Sequence, residues 1–376
     1  MQQSACNPFP SPGQELLLKA AFFEKEPARE AWAEWRKTTD FELDVDSGSQ
    51  KLLPLVYQNL LRHQVDDPVI PRLKGMYRKT WSNNHFLFYL TGNLLTLLQK
   101  AGIPVMLLKG VPLTLLYYRN HALRPMSDVD LMVPHAHAEP AIELLGKNGW
   151  SLRNPSQLRF LLKYGRSTDL ADRDQNEIDL HWHPIFEAYD EKTGSVFWDR
   201  AVSVEVSGMQ TKTMCSADML LHVIVHGLRS NNEPPVRWVP DSLMIIRQDR
   251  YPVDWARLTE LTSRYSVSLQ MKAALNYLCG TFDTPIPECV IDRINGIKPK
   301  WADRIVCRHA FAFGDRAVHT FRQRVYKIYV NYIRQSGRKG VFRLHFGFVR
   351  YVYALSSGRF WPALIYKYFR LLLTNR

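Results

Sequence analysis

Apolar positions along this chain change their period twice. Over residues 14–101 they recur every three to four positions, the spacing that buries one face of a helix. This predicts helices over 15–24, 28–36, 52–63 and about 73–101, the last with Phe86, Leu90, Leu94, Leu97 and Leu98 as its apolar stripe. Gly102-Ile103-Pro104 ends that helix, as a Gly and Pro pair should. Short apolar runs of strand length follow at 105–108, 128–133 and 178–182, with helices expected over 112–119 and 137–148. The stretch 158–179 reads as a pair of strands. From about residue 217 helical spacing returns, over 218–227, 241–248, 254–265 and 268–280. Strands and helices alternating in the middle of the chain argue for a mixed sheet with helices packed against it. The expected fold class is therefore α+β, a small mixed sheet flanked by helical N- and C-terminal regions. Residues 1–13 are rich in Pro and Ser and are expected to be disordered.

Within this pattern, Arg124-Pro125-Met126-Ser127-Asp128-Val129-Asp130-Leu131-Met132-Val133 stands out. Asp128 and Asp130 lie two residues apart in an apolar run, so in a strand they share one face. Two carboxylates forced together on a buried strand repel, and a divalent cation is the usual compensation. Hard Mg²⁺ takes one or two carboxylates plus substrate phosphates. A third acid, Asp179, sits between Ile178 and Leu180 in another apolar run, with Glu177 at the same parity. Upstream, the run ending in Lys109-Gly110 reads as a strand closing on a glycine turn beside a cation. A strand with its glycine turn, then Asp-x-Asp, then one more Asp on a later strand is the layout of a two-metal nucleotidyl-transfer site.

The run Leu107-Leu108-Lys109-Gly110, Arg124, Ser127-Asp128-Val129-Asp130-Leu131 and Ile178-Asp179-Leu180-His181 resembles the polymerase-β-type nucleotidyltransferase superfamily, and within it the bacterial group called nucleotidyltransferase family proteins. Leu220-Leu221-His222-Val223-Ile224-Val225-His226-Gly227 and Arg237-Trp238-Val239-Pro240-Asp241 fit that group too. The resemblance covers roughly residues 50 to 270. It implies transfer of a nucleoside monophosphate from a nucleoside triphosphate to an acceptor hydroxyl, with pyrophosphate released. Asp128, Asp130 and Asp179 would be the catalytic and metal-binding acids, holding two Mg²⁺ ions with Mn²⁺ as a substitute. Lys109, Gly110, Arg124 and Ser127 would bind the nucleotide, Gly110 by close backbone approach and Lys109 as a point charge for a phosphate. The chain departs from the superfamily in carrying Gly110-Val111 where members have Gly-Gly or Gly-Ser. That departure motivates the rival reading of a regulatory protein that binds a nucleotide or phospholigand without turnover. The implied division is 1–13, a helical region 14–101, a catalytic core 102–215, a helical domain 216–297 and a C-terminal region 298–376.

Other chemistry-bearing residues are read more plainly. His181 and His183 share strand parity with Asp179 and are expected to be structural. His222 and His226, four apart on a helix, lack the Glu and third ligand of a zinc site and are read the same way. Asp241 has no assigned role. The five cysteines are scattered without Cys-x-x-Cys spacing, which indicates reduced thiols of a cytoplasmic protein and no disulfide framework. No secretory signal is visible, and no apolar run is long enough to span a bilayer.

Charge adds one further expectation. Residues 298–376 hold seventeen Lys and Arg against Asp303 and Asp315, a net +15, whereas the whole chain carries +13. The basicity therefore belongs to the C-terminal fifth, where aromatics such as Tyr329, Phe348, Trp361 and Tyr368 are interleaved with it. This is the composition of a segment lying on anionic lipid, and the preferred reading is peripheral attachment to a membrane surface. Two alternatives stay open, an RNA-directed enzyme using the tail as a backbone clamp and helices that pack on the body with their arginines in solvent. The sequence identifies neither the acceptor nor the oligomeric state.

Overall fold

The computed structural model describes residues 8–185, 187, 191–228, 236–300, 303, 304 and 307. The expected basic C-terminal region lies outside the described residues apart from its first few positions. Helices α1 (Pro12–Phe22), α2 (Lys25–Thr38), α3 (Ser47–Gln50), α4 (Leu53–Arg62) and α5 (Ile70–Lys100) come first. Helix α1 is opened by a reciprocal cap, in which Ser11 Oγ accepts from Gln14 N at 3.2 Å and Gln14 Oε1 accepts from Ser11 N at 3.0 Å. Residues 8–13, expected to be disordered, are packed instead. The Trp238 indole donates to Pro8 O at 2.9 Å, and the Phe9 ring meets Trp238 and Tyr277 edge-on.

Strand β1 (Met106–Leu107) runs into a helical turn α6 (Gly110–Pro112) that continues as a π-helical segment (Leu113–Tyr118). Then come β2 (Asp128–Met132), α7 (Ala138–Lys147), β3 (Ser151–Leu152), α8 (Leu158–Tyr164), β4 (Ser167–Ala171), β5 (Glu177–His181), α9 (Glu191–Asp199), β6 (Val202–Val206) and β7 (Met209–Thr213). The strands form one sheet in the order β3-β4-β5-β2-β1-β7-β6. The β2/β5 and β1/β7 pairs are parallel and the rest antiparallel, so the sheet is mixed, as expected. The last described helices are α10 (Ser216–Gly227), α11 (Trp238–Ile246), α12 (Trp255–Arg264), α13 (Ser268–Phe282) and α14 (Glu288–Gly296). None of the described helices is long and apolar enough to cross a membrane.

Strand alternation sorts the sheet into two faces. Val129, Leu131, Ile178 and Leu180 enter a core with Leu87, Phe88, Leu94, Leu95 and Leu98 of α5 and Ala141, Ile142 and Leu145 of α7. Met106 and Met132 point the other way, into a larger core that α1, α2 and α4 share with α10 to α13. Helix α5 spans about 45 Å at 1.5 Å per residue and contributes Leu73 to this second core, so it joins the two. Asp218 of α10, fully buried, takes a bidentate pair from Arg257 of α12 at 2.6 and 2.7 Å.

Two further expectations need correction. The first half of 158–179 is helix α8, because Leu158, Leu161 and Leu162 recur at helical spacing and pack together on the first core. The strand pair begins only at Ser167. The buried stripe of α5 runs through Leu87 and Phe88, whereas Phe86 is exposed. The β6/β7 hairpin has no counterpart among the expected elements. Its turn, Ser207-Gly208, has φ values of 49° and 78°, and two positive φ angles in a two-residue loop match the twist of flanking strands.

Candidate active site

In the parallel pair β2/β5, Asp128 faces Glu177, Asp130 faces Asp179 and Met132 faces His181. The antiparallel neighbour β4 sets Asp169 against Asp179. Asp130, Asp179 and Asp169 therefore form a row across three strands, on the face opposite Val129, Leu131 and Leu180. At the other end of the row Leu108 N donates to Asp130 O at 3.0 Å. That bond brings the next residue, Lys109, to the Asp130 carboxylate. Its backbone takes φ 44°, a left-handed conformation that is costly for a side chain with a Cβ and typical of functional turns.

The side chains converge. Lys109 Nζ forms an ion pair with Asp130 Oδ1 and stands 3.9 Å from Asp179 Oδ2. His181 Nε2 lies 2.8 Å from Asp179 Oδ2 and 3.3 Å from Asp130 Oδ1. Burial alone would raise both carboxyls, but the Lys109 ammonium and His181 hold Asp130 below the usual carboxylate range. Asp179 is likewise pushed below the usual carboxylate range, His181 outweighing burial there. By contrast, burial and the Asp130 charge raise Asp128, whose recorded hydrogen bond is from Ser127 Oγ at 3.2 Å. Both acids of the central pair are thus held as anions.

Asp130, Asp179 and His181 offer ligand atoms within 4.8 Å of one another. Asp179 Oδ1 and His181 Nδ1 are buried and have no hydrogen-bond partner among the described residues. A buried carboxylate oxygen without a partner is costly, and a cation bound there would offset that cost. Two carboxylate oxygens and one imidazole nitrogen are all common ligands of divalent metal ions. The donor set fits a divalent ion.

Other residues singled out in the sequence hold different positions. Arg124, expected to bind nucleotide, is buried and pairs bidentately with Asp241 of α11, Nε to Oδ1 at 2.8 Å and Nη2 to Oδ2 at 2.9 Å. Tyr118 OH adds a third bond to Asp241 Oδ1 at 2.7 Å. The Arg124 carbonyl accepts from Asn84 at 2.8 Å. Gly110 is buried against the same loop, and a Cβ there would meet Met126 Sδ at 2.8 Å. A side chain there would have to displace the Met126 thioether. Val111 is buried in the core on the opposite sheet face, so its side chain does not obstruct the carboxylates. Ser127 is exposed.

Helices α10 and α11 close over this region. Gly227 permits the approach, since a Cβ there would fall 2.2 Å from Trp238 Cβ. The close packing brings Arg237 beside Arg124, where its Nη1 donates to Pro125 O at 2.7 Å. In this constellation Asp169, Arg237 and Asp241 have no role in the sequence reading, and His181 is expected there to be structural. His181 and Asp169 carried a legible signal, strand parity with Asp179 and alternation in Ser167-Thr168-Asp169-Leu170. Arg237 carried none beyond its place in the family-like segment.

A family model described as an uncharacterised nucleotidyltransferase matches residues 47–282 of this chain. No curated protein matches it. Among solved structures, an antigenic nucleotidyltransferase-like protein from Paracoccidioides brasiliensis is similar over 60% of this chain and 97% of that chain, at 12% identity and a TM-score of 0.34.

Proposed function

The chain belongs to the uncharacterised nucleotidyltransferase family matched over residues 47–282, and from that premise we propose that it moves a nucleoside monophosphate from a nucleoside triphosphate to an acceptor hydroxyl. The observation that carries this reading is the in-register pair Asp130 and Asp179, kept anionic by Lys109 and His181, with one buried carboxylate oxygen left open. In the reaction the acceptor oxygen bonds to the α-phosphorus as the bond to the β-phosphate oxygen breaks. Pyrophosphate leaves with the electron pair, and the hydroxyl proton is lost to solvent.

Asp130, Asp179 and His181 would hold a divalent cation, and Asp128, one strand step away on the same face, would share a second. Bound there, the metal polarises the phosphoryl oxygens and lowers the acceptor hydroxyl's pKa. Lys109 supplies a fixed positive charge next to the reacting phosphates, where water is scarce and charge acts strongly. The strained turn at Lys109 sets that ammonium in place before substrate arrives. Arg124 and Asp241 act on position, tying the loop before β2 to α11.

The direct test is pyrophosphate release from each nucleoside triphosphate with Mg²⁺ or Mn²⁺ in the presence of cell extract as acceptor. The proposal expects release with at least one donor, abolished in Asp130→Asn. Because Lys109 already neutralises Asp130, the rival reading of a phospholigand-binding protein without turnover has an observation in its favour. Saturable triphosphate binding without release would establish it. For the acceptor we propose a substrate at an anionic membrane surface, on the composition of 298–376 alone.

A further inference from the structure

Beside the carboxylate row, between the end of β1 and helices α10 and α11, lies a cavity of about 50 Å³. It is lined by Lys109, Arg124, His222, His226, Arg237 and Asp241 among others. One water needs roughly 10–15 Å³ by such a measure, and drug-sized ligands take about 300 Å³ or more. The space therefore admits a small polyatomic group and excludes a nucleoside.

Its cations are unevenly matched. Arg124 is paired with Asp241, which also accepts from Tyr118 OH, and Lys109 is paired with Asp130, which leaves Arg237 as the cation of the described lining without a carboxylate partner. Arg237 has no carboxylate at salt-bridge distance among the described residues, and its recorded hydrogen bond goes to a backbone carbonyl. Burial and the neighbouring Arg124 disfavour its charge and outweigh the opposing pull of the Asp241, Asp128 and Asp130 carboxylates. A second guanidinium held beside the first in a buried wall is costly unless an anion joins it. Lys109 links this cavity to the catalytic row, lining the one while its ammonium touches Asp130 of the other.

We infer that this cavity receives a phosphoryl group, the terminal phosphate of the triphosphate donor, with Arg237 as its main donor and Lys109 bridging to the carboxylates. Guanidinium forks match phosphate oxygens in geometry and charge, and the small volume restricts the ligand to the phosphate itself. The source of the phosphate rests on the nucleotidyl-transfer reading. The recognition chemistry does not, since a free phosphate or a phosphorylated acceptor presents the same group.

The test is calorimetric binding of tripolyphosphate, inorganic phosphate, AMP and the four nucleoside triphosphates with Mg²⁺ to the full chain, as wild type, Arg237→Gln and Arg237→Lys. Loss of one charge-assisted contact should weaken the triphosphates and tripolyphosphate about tenfold or more. AMP should be unaffected, and Arg237→Lys should recover part of the loss. Unchanged triphosphate affinity in a folded Arg237→Gln protein overturns the cavity assignment and leaves nucleotidyl transfer standing. An equal loss for AMP also overturns it, because the substitution then acts on the whole site. Phosphate and tripolyphosphate binding that depends on Arg237, with no nucleoside triphosphate bound by wild type, supports the cavity and removes the transfer reading. No binding of any phosphate probe to wild type overturns the inference. If Arg237→Gln does not fold, His226→Gln is read in its place, a loss of tripolyphosphate affinity supporting the cavity and no loss overturning it.

Discussion

Replacing Asp241 by asparagine leaves the Arg124 guanidinium buried with a neutral partner. Arg124 is 6% exposed and Asp241 3%, so water cannot take over the lost role. The carboxylate accepts two bonds from Arg124 and one from Tyr118. An asparagine keeps one oxygen and turns an NH₂ group toward a guanidinium that can only donate. Burial works against the Arg124 charge, and Asp241 more than offsets it. Removing one partner of a buried ion pair costs about 3–5 kcal/mol. At roughly 2–4 °C per kcal/mol for domains of 150–250 residues, that is a fall of about 6–20 °C in Tm. The assay is urea and thermal unfolding followed by circular dichroism, with Arg124→Met/Asp241→Leu alongside. The double variant should recover much of the loss, since replacing both charges with apolar groups is often nearly neutral. An Asp241→Asn protein within about 0.5 kcal/mol of wild type, the usual scatter for inconsequential substitutions, would refute the assignment of Arg124 as a strut. It would return Arg124 to the nucleotide.

Lys109→Met should destabilise the metal-free protein by about 3 kcal/mol, by leaving Asp130 and Asp179 without their counter-charge, and make Tm more responsive to added Mg²⁺ than in wild type; thermal scans with and without the ion decide. Gly227→Ala should cost roughly 1–3 kcal/mol by overpacking against Trp238, seen as a lower urea midpoint with an unchanged slope. The full chain should cosediment with vesicles containing phosphatidylserine and be released by about 0.5 M salt, where charges are screened beyond roughly 4 Å. Copurifying nucleic acid with no vesicle binding would favour the RNA-directed reading instead.

The carboxylate pair was legible because strand parity is a local property. Asp128 and Asp130 declare one face within five residues, and Asp179 repeats the pattern inside its own apolar bracket. What a local pattern cannot supply is register between distant strands. The pairing that sets Asp169 beside Asp179, and Met132 opposite His181, links segments whose spacing is fixed only on folding. His181 shows its parity with Asp179 locally, but its reach to Asp130 depends on that register. The Arg124 ion pair was invisible for a related reason, as its partner Asp241 is 117 positions away. The stripe of α5 misled because its buried face carries Thr80, Asn84, Thr91 and Gly92. Asn84 belongs inside because it donates to the carbonyls of His121 and Arg124, bonds invisible in an apolar count. The hairpin over 202–213 did carry its signal, Val202, Val204 and Val206 alternating before Ser207-Gly208.

The central claim, that the Asp130/Asp179 row is a metal–nucleotide site, is tested most directly by thermal shift with each of the four nucleoside triphosphates and Mg²⁺, on wild type and Asp179→Asn in parallel. The account predicts an increase in Tm for wild type with one or more triphosphates, through binding to the folded state, and none for Asp179→Asn. An equal shift in both proteins would place the nucleotide elsewhere and contradict it.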